Sequence, residues 1–244
     1  PKINVLRYFF WKLFSSKIHI VTCPTKATYE YFKKMKIFSN NKLVILKDPI
    51  IDIKKFSSLS KERNEKIFLG KKIILGIGRL TKQKNFALLI NFFSKIEKKY
   101  PEYILIILGE GEERLRLEKL VDSFGLQNKI YIMGYQNNVY KFLTNSEYFI
   151  LSSLWEDPGF VLIEAALSNS TIISSDCPNG PNEIIVNQKF LFNNNDVDDL
   201  CKKFESIKNN LDKSLILNQK IYVKKRIKEF TMFWHFKNLS KLLN

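Results

Sequence analysis

Residues 152–176, SSLWEDPGFVLIEAALSNSTIISSD, are the stretch whose reading decides the fold. It begins as the end of a buried strand, passes through a short polar loop, becomes a helix and ends in another strand. Pro158 and Gly159 mark the turn into the helix, since proline suits a first helical turn and glycine permits close backbone approach. Phe160, Val161, Ile163, Ala165 and Ala166 make the helix largely apolar, and Glu164 is the one charge on its body. A helix N-terminus presents unpaired N–H groups and a positive dipole end, so its natural guest is an anion such as phosphate. Glu156 lies before the helix and Glu164 in its second turn. Two carboxylates flanking an anion site can grip the hydroxyls of a sugar or a ribose.

Upstream, the same alternation repeats. KIILGIG (72–78), YILIILG (103–109), KIYIMG (129–134) and EYFILSS (147–153) read as strands. NFALLINFFSKIEKKY (85–100), EERLRLEKLVDSFG (112–125) and VYKFLTN (139–145) read as the helices between them. Continuous apolar strands alternating with amphipathic helices predict a parallel sheet covered on both faces. Ligands of such sheets bind beyond the carboxyl ends of the strands, where Gly78, Gly109, Gly134 and Ser152 stand. Downstream, DVDDLCKKFESIKNN (196–210) is a helix with Asp at its start. The tail from Leu215 to Leu243 is helical and aromatic at Phe230, Phe233, Trp234 and Phe236.

Nearer the amino terminus, VLRYFFWKLFSS (5–16) predicts an apolar, aromatic helix that packs on a further domain or lies on a membrane surface. IHIVTC and KLVILKDPI are short strands, with a helix opened by Pro24 and Thr25 between them. Asp48-Pro49 followed by the polar FSSLSKERNEK places a boundary at 49–66.

Composition narrows the classes. The 244 residues carry a formal charge of +16, but only six of the 40 basic residues are Arg, and that lysine excess reads as a compositional bias. Otherwise it implies attraction to anionic lipid, nucleotides or nucleic acid. With no nucleic-acid motif or stacking pattern, no nucleic-acid partner is expected. Cys23, Cys177 and Cys201 lack metal-ligand spacing, as do His19 and His235, so no metal site and a reduced, cytoplasmic setting are expected. The chain starts with Pro and has no secretory signal pattern, so it is read as a piece of something longer.

The loop GIGRLTKQKN (76–85) fails the dinucleotide pattern, because Thr81 stands where its last glycine belongs. What it offers is Arg79, a planar fork for two phosphate oxygens, and Lys84, a point charge. Read alone, Lys84 is equally a solvated surface lysine. GEGEE (109–113) lets a ligand approach the backbone at its two glycines, or is simply a tight strand-to-helix turn; its Glu112 and Glu113 read as solvated helix-start charges. Gly134-Tyr135 allows backbone approach to a base, or is a simple turn.

Taken together, GRLTKQKN, GEG, EDPGFVLIEA and SSDCPNGPNEI, in this order and spacing, resemble the retaining nucleotide-sugar glycosyltransferases of family 4, which have the GT-B fold. The resemblance covers roughly residues 15–240. It implies an α/β, Rossmann-like parallel sheet with helices on both faces, residues 67–230 being the donor-binding domain. Residues 1–48 would be a remnant of the acceptor domain, 49–66 a linker and 231–244 a helix returning to that domain. It implies a donor site of Gly78, Arg79, Lys84, Gly109, Gly134, Tyr135, Glu156, Pro158, Gly159, Phe160, Val161 and Glu164. Arg79 and Lys84 would neutralise the leaving diphosphate, Glu156 would bind sugar hydroxyls and Glu164 the ribose; Glu156, Arg79 and Lys84 would be the catalytic set. The implied donor is a nucleotide sugar, UDP by default, with no cofactor or metal. The implied acceptor is a glycan or lipid-linked intermediate of surface polysaccharide or glycolipid synthesis. A truncated acceptor half implies donor binding with little turnover. Two other readings stay open: a basic, non-catalytic module peripheral at an anionic membrane, and a sugar-nucleotide epimerase of the same fold.

Overall fold

The computed structural model describes residues 4–62, 70–209 and 213–243, and the chain divides into two compact units, Pro1–Ile50 with Glu229–Asn244, and Ile51–Lys228.

The first unit opens with α1 (Val5–Phe14), β1 (Val21–Cys23), α2 (Lys26–Met35) and β2 (Leu43–Ile45), the two strands pairing in parallel. Thr25 starts α2, its hydroxyl accepting from the Thr28 N–H at 3.0 Å. Trp11 of α1 packs against Phe32 and Phe38 around a small core of Cys23, Ile37 and Leu43. The opposite face of α1 leaves Val5, Leu6, Phe9, Phe10 and Leu13 exposed.

The second unit carries α3 (Ile53–Leu59), β3 (Lys72–Ile77), α4 (Phe86–Ile96), β4 (Tyr103–Leu108), α5 (Arg114–Ser123), β5 (Ile130–Ile132) and α6 (Tyr140–Asn145). It continues with β6 (Tyr148–Leu151), α7 (Phe160–Leu167), β7 (Thr171–Ser175), α8 (Pro181–Ile184), β8 (Leu191–Phe192), α9 (Val197–Asn209) and α10 (Lys213–Arg226). Helix α11 (Met232–Leu243) belongs to the first unit, where the His235 ring nitrogen Nδ1 meets the Lys47 carbonyl at 2.8 Å.

The expected linker is corrected in part. Asp52 accepts from the Lys55 N–H at 3.0 Å and starts α3, whose polar face had hidden the helix. The stretch from residue 63 to 66 lies outside the described residues.

Six parallel strands form one sheet in the order β5-β4-β3-β6-β7-β8. Every residue of β4, β6 and β7 is buried, which is why these strands are continuously apolar or small rather than alternating. Chain order runs outward one way from β3 and the other way from β6. Right-handed crossovers therefore put α4 and α5 on one face and α6 and α7 on the other. α9 packs against α4, and α10 against α7. Phe204 of α9 sets its ring against Phe92, Tyr100, Tyr103 and Tyr148, at centroid distances of 5.3, 5.6, 5.9 and 4.9 Å. The β3–β6 junction is the point where strand order reverses, the place at whose carboxyl edge sheets of this kind bind their ligands. Among the described residues no helix is long and apolar enough to cross a membrane.

Candidate functional site

Three glycines build the floor at the strand ends. The Gly109 N–H donates to the Gly134 carbonyl at 2.8 Å, and the Gly78 N–H to the Leu108 carbonyl at 3.0 Å. A methyl built on Gly109 would stand 1.9 Å from the Gly78 oxygen, so only glycine lets these two loops touch. Gly134, at φ 73°, turns the chain over the Glu110 carboxylate, 2.6 Å from where its own Cβ would be. Gly78 leaves space for the aliphatic stem of Lys84, whose carbons would lie 3.2–3.3 Å from an added methyl.

Lys84 then crosses the junction between β3 and β6. Its Nζ reaches Glu156 Oε1 at 2.6 Å, the two side chains being 15% and 4% exposed. A buried pair of this kind holds only if further hydrogen bonds satisfy it. Ser153 supplies one, its hydroxyl donating to the same oxygen at 2.5 Å. The backbone joins the two loops as well. The Leu154 N–H donates to the Gln83 carbonyl at 2.8 Å, Gln83 Nε2 to the Trp155 carbonyl at 2.8 Å, and Ser152 Oγ to the Lys84 carbonyl at 2.8 Å. Behind them lies the loop after β7. The Pro178 carbonyl accepts from the Glu156 N–H at 3.0 Å, and Gly180 comes so near Pro158 that a Cβ would meet its oxygen at 2.3 Å. Burial pushes the Cys177 thiol in this loop up to about 11.

Gly159 caps α7, with Pro158 and Val161 buried and Phe160 exposed. The Leu162 N–H already bonds the Gly159 carbonyl at 2.9 Å, so the N–H groups of Phe160 and Val161 are those the first turn leaves for an anion.

Glu164 sits apart from the Lys84–Glu156 pair. Its Oε1 accepts from the Tyr140 hydroxyl of α6 at 3.4 Å, and the Tyr140 ring is held edge-on by Phe56 of α3 at 5.4 Å. Burial raises the Glu164 carboxyl above the usual range, against the downward pull of the Tyr140 hydroxyl and the Lys55 charge. Burial, and then the neighbouring Glu164, push the Tyr140 phenol up to about 12. Asn138 ties α6 to α3, its side-chain amide donating to the Leu59 carbonyl at 3.0 Å.

Arg79 is exposed on the loop after Gly78 and, among the described residues, its guanidinium has no ion pair or hydrogen bond. Tyr135 is 72% exposed, and no described side chain fixes it. Glu113 departs from expectation. It is buried, its N–H donates to the Leu80 carbonyl at 2.9 Å, and its carboxylate pairs with Arg116, so it ties α5 to the loop after β3 rather than facing solvent. A cavity of about 190 Å³ opens beside that tie, lined by Lys82, Phe86, Arg116 and Leu154 among others, and holds none of the predicted site residues. Sequence reading missed Ser153, Tyr140 and Gln83. Ser153 stands three residues before Glu156, a local spacing that could have marked it. Tyr140 and Gln83 carry no local signal.

A six-stranded parallel sheet flanked by helices on both faces is the fold of the GT-B glycosyltransferases that the chain matches in structure. Residues 58–224 match the family described as glycosyl transferases group 1, and the chain belongs to that family. It is 39% identical over 189 residues to an uncharacterized glycosyltransferase of Methanocaldococcus jannaschii, a span of 75% of this chain and 45% of that protein. The N-acetylgalactosamine-N,N'-diacetylbacillosaminyl-diphospho-undecaprenol 4-alpha-N-acetylgalactosaminyltransferase of Campylobacter jejuni is 28% identical over 187 residues, 77% of this chain and 49% of that protein. In fold, the chain resembles Anabaena HepE solved in complex with UDP, with a TM-score of 0.84 and 16% identity, over 99% of this chain and 68% of that one. The chain spans about half the length of these two curated relatives.

Proposed function

We propose that the second unit is the donor site of a retaining, family 4 type hexosyltransferase that uses a nucleoside diphosphate sugar, UDP-linked by preference. The observation that carries this is the Lys84–Glu156 pair, which sets a phosphate-seeking cation and a hydroxyl-seeking carboxylate side by side at the strand-order reversal. Support for UDP comes from proteins of this fold solved with it bound, HepE among them.

The diphosphate would lie over Gly78 and Gly109, where the absence of side chains lets it approach the backbone. Arg79 and Lys84 would meet its charge, with the N–H groups of Phe160 and Val161 adding the helix-dipole contribution. As the bond from sugar to phosphate breaks, negative charge grows on the leaving phosphate. Lys84 and the helix-start N–H groups, already fixed in place, would stabilise that charge without reorganising, and Arg79 would close on it from the exposed loop. Glu156 would hold sugar hydroxyls and Glu164 the ribose hydroxyls. Tyr135 would lie at the base end of the site. No residue in this scheme calls for a metal. The acceptor would be a glycan or a lipid-linked glycan, in surface polysaccharide or glycolipid synthesis, and the first unit would be part of an acceptor-side domain. The reaction would run on the cytoplasmic side, where nucleotide sugars are made, and on this reading the chain alone binds donor and turns it over poorly.

Titration calorimetry with UDP tests the reading. The wild-type chain is expected to bind, and Arg79→Ala and Glu164→Ala each to weaken binding about tenfold, the loss of one charge-assisted contact. No binding, or binding unchanged in both variants, overturns it.

A further inference from the structure

The Glu156 carboxylate is nearly closed off from solvent, and only one of its oxygens is used by the protein. Oε1 takes both Lys84 Nζ at 2.6 Å and Ser153 Oγ at 2.5 Å. Oε2 meets no donor among the described residues. A buried carboxylate oxygen without a donor is costly, so Oε2 is an acceptor that a group from outside the chain completes. The terminal torsion of a glutamate is broad and two-fold. Two donors converging on the same oxygen therefore decide which oxygen is left over.

Ser153 is itself held rigidly. It is fully buried, and its carbonyl accepts from Ser175 Oγ at 2.7 Å, at the end of the neighbouring strand β7. Ser152 fastens the other partner, through the Lys84 carbonyl at 2.8 Å. Three buried serines at the ends of adjacent strands thus fix both members of the pair and the orientation of the carboxylate.

We propose that Ser153 is the positioning residue of Glu156: by pinning Oε1 it presents Oε2 to a hydroxyl of the donor's sugar, and so sets recognition of the sugar rather than of the nucleoside diphosphate. This rests on the donor-site reading above. A serine that only stapled the loop would act differently. Its loss would loosen Lys84 and Glu156 together and weaken both halves of the ligand alike.

The test compares affinities for UDP with those for UDP-glucose, UDP-N-acetylglucosamine and UDP-N-acetylgalactosamine, taking the tightest sugar. The proteins are the wild-type chain, Ser153→Ala, Glu156→Gln and the double variant. Ser153→Cys, close in size but a weak donor, stands in should the alanine variant fail to fold. The expected result is a fall of about tenfold in the ratio of UDP-sugar to UDP affinity on losing the Ser153 hydroxyl, the loss of one hydrogen bond to a charged group. The double variant is expected to be no weaker than Glu156→Gln, because the serine acts through the glutamate. An unchanged ratio, or losses at Ser153 and Glu156 that simply add, overturns the proposal. A wild-type chain that binds UDP but gains nothing from any of the three sugars overturns it too, while leaving the nucleotide site standing. A wild-type chain that binds no UDP overturns the donor-site reading and this inference with it.

Discussion

The backbone oxygen of Gly78 lies where the β-carbon of any other residue at position 109 would have to go, 1.9 Å from it. Neither atom belongs to a flexible side chain, so the contact cannot be relieved by a rotamer change. Gly109→Ala is therefore expected to force apart the loops after β3 and β4. The cost to stability should be on the order of 3 kcal/mol, as for other enforced backbone strain. The measurement is the urea midpoint, with UDP affinity read on the fraction that folds. A variant as stable as the parent would contradict the close contact.

Lys84 and Glu156 are buried together, and removing one charge strands the other. Lys84→Met is expected to destabilise the chain by about 3–5 kcal/mol, the usual penalty for breaking a buried pair from one side. Adding Glu156→Gln should recover part of that loss, since the stranded charge is then gone. Equilibrium denaturation of the two singles and the double gives the coupling directly. Simple additivity would mean the two side chains do not depend on one another.

Burial holds the Glu164 carboxyl above its ordinary range. A carboxyl whose folded value exceeds its unfolded value favours the fold fully below the unfolded pKa, and that advantage is lost as pH rises through the folded one. At neutral pH the ionised group thus weighs against folding. Glu164→Gln is expected to melt a few degrees above the parent at pH 7, with the gap closing toward about pH 4. Melting curves across that range check the sign, and a gap that widens in acid would refute it. On the donor-site reading the same variant is expected to bind UDP more weakly, which would be function kept at some expense of stability.

Phe204 is fully buried among four other aromatic rings at the amino end of the sheet. Phe204→Ala is expected to cost about 3–5 kcal/mol, the range for emptying an aromatic-sized core site. The site at the opposite, carboxyl edge should keep its UDP affinity below the melting range. Chemical denaturation reads the first effect and calorimetry the second.

Much of the second unit was legible in the sequence because its strands are buried on both faces. β3, β4, β6 and β7 are unbroken apolar or small runs, and the helices between them keep a helical period. β8 was not legible, because Leu191–Phe192 is too short to show any period and is held by its pairing with β7. α3 was hidden by its polar composition, although Asp52 is an ordinary helix cap. At the site, local chemistry pointed to Gly78, Pro158 and the start of α7. The Lys84–Glu156 contact joins residues 72 positions apart and left no local trace; the likeness to a family implied one site for both but no contact between them. Local reading took Glu113 for a solvated charge, because a residue's burial against a distant loop leaves no trace in its own neighbourhood.

The ring of Phe204 is laid down well after the strands it covers. Tyr103 and Tyr148 leave the ribosome first and have no lid until α9 follows. A chain being translated must therefore carry a bare aromatic floor for roughly fifty residues, at about 5–20 residues per second. The last third of this unit sets the moment at which the nascent sheet ceases to be adhesive.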